Sequence, residues 1–268
     1  MNNVKNDKIR QQVRETYANV AKSTTEKFSC GPSCCGSKDV SPETISSQLG
    51  YSDSEMASVP EGADMGLGCG NPQVIANLKP GETVLDLGSG GGFDCFIAAR
   101  QVGKNGVSIG VDMTPDMISK ARKNASECGY DNVVFRLGEI EYLPIADKTV
   151  DVIMSNCVIN LSPDKQQVFN DCYRVLRAGG RLAISDIVAI AEIPSKIKED
   201  MAVYSGCVAG ASKVEDLKEM LIQAGFSKIS IEIKEESKEF IKEWFPGSGA
   251  EKYVVSAIIE AEKPLCSC

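Results

Sequence analysis

Four glycines in five positions, Gly88-Ser89-Gly90-Gly91-Gly92, make the most permissive stretch of backbone in the 268-residue chain. Such a run supplies positive φ angles and removes the Cβ atoms that keep a ligand away from the main chain. Before it comes Thr83-Val84-Leu85-Asp86-Leu87, a short apolar run after a Pro80-Gly81 turn that reads as a buried strand. After it, Phe93 to Val102 reads as a helix, with Phe93, Phe96, Ile97 and Val102 on one side and Gly103 as the stop. Strand, glycine loop and helix N-terminus together present amide N–H groups to a nucleotide-like ligand. Gly88-x-Gly90-x-Gly92 differs from the G-x-G-x-x-G of dinucleotide sites, and no G-x-x-x-x-G-K-[ST] occurs. An acidic residue that holds ribose hydroxyls is expected at the end of the second strand. Val107-Ser-Ile-Gly-Val-Asp112 ends in Asp112, twenty residues past Gly92. A tight turn without a ligand leaves Asp112 unexplained.

Composition narrows the chemistry. With no histidine, Ser-His and Cys-His nucleophilic pairs, His metal sites and the commonest general base are all excluded. A net charge of −8 argues against nucleic acid as a partner, since phosphate binding needs basic patches. The longest apolar runs, such as Val188-Ala-Ile-Ala191, are too short to span a bilayer, and Met1-Asn-Asn-Val-Lys-Asn does not read as a signal peptide. A cytoplasmic monomer without membrane contact is expected. Eleven cysteines in a compartment that keeps thiols reduced must each be argued separately, because a scattered free cysteine is usually a small core residue.

A strand ending in Asp two residues before G-x-G-x-G resembles the first motif of the class I S-adenosylmethionine-dependent methyltransferases. The resemblance implies that cofactor, held by Asp86, Gly88, Ser89, Gly90, Gly92, Asp112, Met113, Glu139, Ile140 and Asn156. Glu139, in Gly138-Glu-Ile-Glu-Tyr-Leu-Pro144, stands where the family more often places an Asp against adenine; the alternative is a solvated acidic turn. Val175-Leu-Arg-Ala-Gly-Gly-Arg-Leu182 resembles the turn before the family's fifth strand.

Methyl transfer to O or N usually wants a base, whereas a thiolate or a metalloid lone pair is already electron-rich. Cys69 precedes the first strand, Cys157 follows the fourth and Cys207 follows the fifth. In doubly wound sheets the loops past the carboxyl ends of the strands form the ligand crevice. Three soft thiolates there suit a soft, three-coordinate ion with a lone pair, and trivalent arsenic fits. Gly-Leu-Gly-Cys69-Gly-Asn-Pro, Val84-Leu-Asp-Leu-Gly-Ser-Gly-Gly-Gly-Phe-Asp-Cys95, Gly-Val-Asp112-Met-Thr-Pro, Ser-Asn-Cys157-Val-Ile-Asn-Leu-Ser-Pro-Asp-Lys and Ser-Gly-Cys207-Val-Ala-Gly-Ala together resemble the arsenite methyltransferases. By that resemblance Cys157 and Cys207 hold As(III), and Cys69 joins them. A cysteine of the N-terminal loop, Cys35 or its neighbour Cys34, is the redox partner, and an external thiol of glutathione or thioredoxin type is the reductant. Arsenite or an arsenic–thiol complex is then the substrate. Set against that resemblance, the C-terminal domain of longer family members is expected to be missing here. Cys30, Cys34 and Cys35 make a poor tetrahedral zinc set without a fourth partner. Cys95, Cys128 and Cys172 fall on helices at or near apolar faces and read as structural, and Cys266 and Cys268 as a frayed tail.

The elements that must position these residues follow in order. Asp7 to Ser23 reads as an amphipathic helix, Phe28 to Lys38 as a Cys/Gly/Ser loop, Ser41-Pro42-Glu43 and Asn71-Pro72 as helix starts. Helices are then expected from Thr114-Pro115 to Cys128-Gly129, from Pro163 to Leu176 and from Val214 to Ala224. Strands are expected at Val133–Leu137, Val150–Ser155, Arg181–Val188, Lys228–Lys234 and Tyr253–Glu260, and Lys234–Lys242 as a solvated surface. Alternating units of this kind give an α/β fold, a doubly wound, mostly parallel seven-stranded Rossmann-like sheet with an antiparallel pair at one edge. The expected division is a helical and Cys-rich appendage over 1–78 covering the ligand end, a methyltransferase domain over 79–262 and a tail over 263–268. Two rival functions remain: methylation of a small organic acceptor, and a non-catalytic arsenite-binding protein.

Overall fold

The computed structural model describes residues 2–22, 41–194, 207–244 and 248–265. Among them, β1 (Thr83–Leu87), β2 (Val107–Asp112), β3 (Val133–Leu137), β4 (Val150–Asn156), β5 (Leu176–Ala189), β6 (Ser227–Lys234) and β7 (Val254–Glu262) form one sheet in the order β3-β2-β1-β4-β5-β7-β6. The first five strands are parallel, and β7 pairs antiparallel with both β5 and β6. Central strands such as β1 are buried along nearly their whole length because helices cover both faces of a parallel sheet. Strand order reverses on either side of β1. That reversal is where a doubly wound sheet opens a crevice at its carboxyl edge.

Around the sheet lie α1 (Asn2–Lys22), α2 (Pro42–Gln48), α3 (Asp53–Met56), α4 (Pro72–Ala76), α5 (Phe93–Val102), α6 (Pro115–Glu127), α7 (Lys165–Val175), α8 (Val214–Ala224) and α9 (Ser237–Trp244). Local chemistry explains their starts. Ser41 accepts from the Thr44 N–H ahead of Pro42, and Asn71 accepts from Gln73 ahead of Pro72. Asp164 caps α7 by accepting from Gln167, so that helix begins after Pro163. No helix among the described residues is long and apolar enough to cross a membrane.

Three expectations are corrected. The stretch Lys234–Lys242 is no simple solvated surface: α9 buries Ile241 completely, and Ser237 accepts from the Ser256 N–H at 2.8 Å. Its charges hide one apolar turn. Cys128 is exposed, because the helix ends at Glu127 and Gly129 turns away with φ +69°. The fifth strand starts at Leu176, not Arg181. Gly179 and Gly180 stay paired with Lys263, and a Cβ at Gly180 would lie 3.0 Å from the Asp151 carbonyl. Glycine therefore allows close backbone approach here instead of only ending a helix.

Docking of α9 is testable. Ile241→Ala is expected to lower the free energy of unfolding by about 2–4 kcal/mol, the range for emptying a buried aliphatic position. A change below about 0.5 kcal/mol in urea titration, the size expected at a surface position, would mean that α9 is not packed in this way.

Candidate active site

A cavity of about 1100 Å³, its open mouth included, lies at the carboxyl edge of β1, β2 and β4. One wall is the glycine loop. A Cβ at Gly88 would lie 2.4 Å from Val158 Cγ2, and Gly88, Gly90 and Gly92 all have positive φ. Gly88, Ser89 and Gly90 line the cavity, whereas Gly92 stands behind them as the N-cap of α5, against Phe96 and Phe135. Asp112 holds the loop's shape: its Oδ2 accepts from the Gly90 N–H at 3.0 Å and its Oδ1 from Thr114 at 2.7 Å. The Ser89 hydroxyl is buried with no hydrogen-bond partner. An unpaired buried hydroxyl beside a bare glycine cradle and a carboxylate fits a ribose- and amine-bearing ligand, and S-adenosylmethionine is one. Asp86, Met113, Ile140 and Asn156 also line the cavity. Burial pushes the Asp86 and Asp112 carboxyls up, and the nearby Asp94 adds to the effect at Asp86.

Glu139 lies apart from that wall. Its carboxylate pairs with Arg14 at 3.3 Å and Arg10 at 3.5 Å, both on α1. Glu141 lines the cavity instead, buried, accepting from Arg10 at 2.9 Å and from the Ser162 hydroxyl at 2.8 Å. Arg10, Val13 and Tyr17 of α1 and Tyr51, Met65 and Gly68 of the following segment complete the walls.

Sequence reasoning missed a buried chain of hydrogen bonds through this second segment. Tyr51 donates its hydroxyl to Asp94 Oδ1 at 2.8 Å and accepts from Asn156 Nδ2 at 3.1 Å. Burial, and then Asp94, hold the Tyr51 phenol well above its usual range, so it stays a neutral donor. Gln73 donates to the same Asp94 oxygen at 3.0 Å. Asn156 uses the rest of its amide on the cysteine loop: Oδ1 accepts from the Cys69 N–H at 2.9 Å, and Nδ2 donates to the Gly70 carbonyl at 2.8 Å. Tyr51 belongs to no motif, and Asp94 stands inside the Val84–Cys95 motif without a role assigned to it there; an isolated Tyr after a helix and an Asp in a first turn are ordinary residues.

The three cysteines singled out in the sequence meet. The Cys69 and Cys157 sulfurs lie within 4.8 Å of each other, and Cys207 packs in the same buried cluster against the Cys157 main chain. Cys207 donates its S–H to the Cys157 carbonyl at 2.6 Å, and Cys69 donates to the Ser185 carbonyl at 3.5 Å. That same Ser185 carbonyl accepts the Cys157 N–H at 2.9 Å. Cys157 and Cys207 both hold left-handed backbone, φ 58° and 66°, unusual without glycine. A Cβ at Gly70 would fall 2.1 Å from Ser185 Oγ, so glycine lets the Cys69 loop settle on β5. All three cysteines are buried, and Cys157 is the one that reaches the cavity wall. Burial raises the Cys69 and Cys157 thiols above their usual range, and neighbouring thiols raise Cys157 further. Asp186 lies against Cys69 and Cys157, and burial pushes its carboxyl up to about 6. Cys95 and Cys172 are buried away from the cluster, Cys95 donating to Asp86 at 3.4 Å. Cys30, Cys34, Cys35, Cys266 and Cys268 lie outside the described residues.

Comparison with known proteins places the chain. A family model described as a methyltransferase domain matches residues 78–225. An arsenite methyltransferase of Halobacterium salinarum is 52% identical over 96% of this chain and 67% of its own length. An arsenite methyltransferase of Mus musculus is 34% identical over 82% of this chain, which spans 58% of that protein. The crystal structure of an arsenic(III) S-adenosylmethionine methyltransferase from Chlamydomonas reinhardtii superposes with a TM-score of 0.60, at 28% identity, over 85% of this chain and 76% of that one. The chain belongs to the arsenite methyltransferase family of S-adenosylmethionine-dependent methyltransferases.

Proposed function

We propose that this protein methylates trivalent arsenic held by the thiols of Cys69, Cys157 and Cys207, with Cys35 or Cys34 entering a later redox step. One observation carries the reading: three cysteines from three distant segments gather in one buried cluster at the wall of a cavity that the glycine loop also lines. The curated relatives named for arsenite methylation support it.

When bound, S-adenosylmethionine supplies an electrophilic methyl group on a positively charged sulfur. The glycine loop and Asp112 would hold the adenosyl portion, and Asp86 and Glu141 line the same cavity. Asn156 keeps the Cys69 loop in register with that wall. Placing reactants in this way is worth up to about 7–11 kcal/mol of barrier.

Arsenite needs no protein base to bind. Each As–OH exchanged for a protein S–H forms one As–S bond and leaves as water, taking the thiol proton with it. That suits thiols whose burial disfavours the charged form, in a chain without histidine. The arsenic lone pair then takes the methyl carbon, which raises arsenic formally to As(V). Two electrons return it to As(III) as two thiols form a disulfide, and a small thiol or thioredoxin-type reductant restores them.

Incubation with labelled S-adenosylmethionine, arsenite and a thiol is expected to yield methylated arsenic. Cys157→Ser is expected to lower that rate by about 100-fold or more, a loss typical of a misplaced reacting group, while the exposed Cys128→Ser remains near wild type. A Cys157→Ser enzyme that retains its activity would contradict the three-thiol site. The hydrogen-bonded chain through Tyr51 has its own test. Tyr51→Phe leaves the ring in place and is expected to cost about 1.5–3 kcal/mol of unfolding free energy, because Asp94 loses a buried donor. An unchanged urea midpoint would show that the Tyr51 hydroxyl is not part of the network.

A further inference from the structure

Asp186 is a buried carboxylate, 2% exposed, that the reaction described above leaves without a part. One of its oxygens and the sulfurs of Cys69 and Cys157 all lie within 4.8 Å of one another. It follows Ser185 on β5, the residue whose carbonyl receives the Cys157 N–H and the Cys69 thiol. Asp186 Oδ2 accepts from the Ile159 N–H at 3.0 Å, and Oδ1 accepts from Asn160 Nδ2 at 2.9 Å and from the Ile187 N–H at 2.7 Å. Two of these donors belong to the turn directly after Cys157, so the carboxylate pins the turn that carries the sulfur. The cation facing it is Lys165, whose buried ammonium donates to the Gly210 carbonyl at 2.8 Å, three residues after Cys207. A carboxylate is costly to bury, and here both of its oxygens accept from N–H donors, a pattern a neutral amide with one acceptor oxygen cannot reproduce.

We infer that Asp186 is a further residue of the arsenic site, which positions the Cys157 turn and sets a negative charge beside the bound metalloid without bonding to it. The inference rests on the arsenic reading above. As(III) with three thiolates carries no net charge. When its lone pair forms the new bond to carbon, the old carbon–sulfur bond breaks and its electron pair stays on the departing sulfur. One unit of positive charge therefore arrives on arsenic. A fixed carboxylate in a water-poor setting stabilises that charge where it develops and needs no reorganisation to do so. The sulfurs bind arsenic; the carboxylate favours the state that follows.

Asp186→Asn keeps the size and removes the charge, and it also turns one amide NH2 towards an N–H that the carboxylate accepted, which is why a second variant is needed. On the full chain, four quantities separate the possibilities: As(III) affinity without cofactor, S-adenosylmethionine affinity, the rate at which iodoacetamide labels Cys157, and the single-turnover rate. The variant is expected to hold S-adenosylmethionine within about 2-fold and As(III) within about 10-fold, while the single-turnover rate falls about 100-fold, the scale seen when one preorganised stabilising group is removed. Asn160→Ala frees the turn but leaves the carboxylate. It is expected to speed Cys157 labelling several-fold and to carry the positioning test should Asp186→Asn fail to fold. Wild-type transfer by Asp186→Asn, equal loss of both ligands with a lowered melting temperature, or unchanged Cys157 labelling in Asn160→Ala would each overturn the inference. A wild-type protein that does not bind As(III) would overturn the arsenic reading and this inference together. Wild-type binding with an indifferent Asp186→Asn would overturn the inference alone.

Discussion

The Ser185 carbonyl is the point on which the site depends. Two groups from segments far apart in the chain converge on that one oxygen, the Cys157 main-chain N–H and the Cys69 thiol. A strand in the middle of a sheet is the most rigid support a chain offers, and β5 is held on both sides, by β4 and β7. Sulfurs hung from loops alone would sample many positions. Tied to β5, they share a frame with the glycine loop on β1, two strands away in the sheet.

The same frame explains the small residues around the cluster. Gly70 must lack a Cβ to approach Ser185, and a Cβ at Gly68 would press against the Asn156 amide at 2.7 Å. Once the loop is in contact, Asn156 saturates its amide on it and passes the constraint through Tyr51 to Asp94 on α5. Cofactor wall and sulfur cluster are thereby joined by buried hydrogen bonds, each strengthened by the low local dielectric. The N-terminal helix closes the other side through the part-buried Arg10–Glu141 pair, in which Glu141 is the buried partner.

Much of this was legible in the residues. A glycine cradle after a strand, Asp112 at the next strand's end, and cysteines in three ligand-end loops each carry a local signal, because backbone freedom and sulfur chemistry depend on residue type. The helix Val214–Ala224 and the strand Val133–Leu137 were legible for the same reason, through their apolar periodicity. What stayed hidden depends on tertiary burial. Asp186 lies within an apolar strand and Asp94 in a helix's first turn, and nothing in their neighbours tells a buried carboxylate from a solvated one. Glu139 and Glu141 share one acidic turn, yet the fold sends the first towards arginines and the second into the cavity wall. In α9 a single buried turn around Ile241 is outnumbered by lysines and glutamates, so charge reads as surface.

The central claim is that three protein sulfurs together surround one arsenic atom beside the cofactor cavity. X-ray absorption at the arsenic edge of the protein loaded with one equivalent of arsenite, without added thiol, tests it most directly. Three sulfur neighbours and no bonded oxygen are expected, with one sulfur fewer in Cys207→Ser. An arsenic atom that keeps oxygen ligands, or binds a single sulfur in the wild type, would contradict the account.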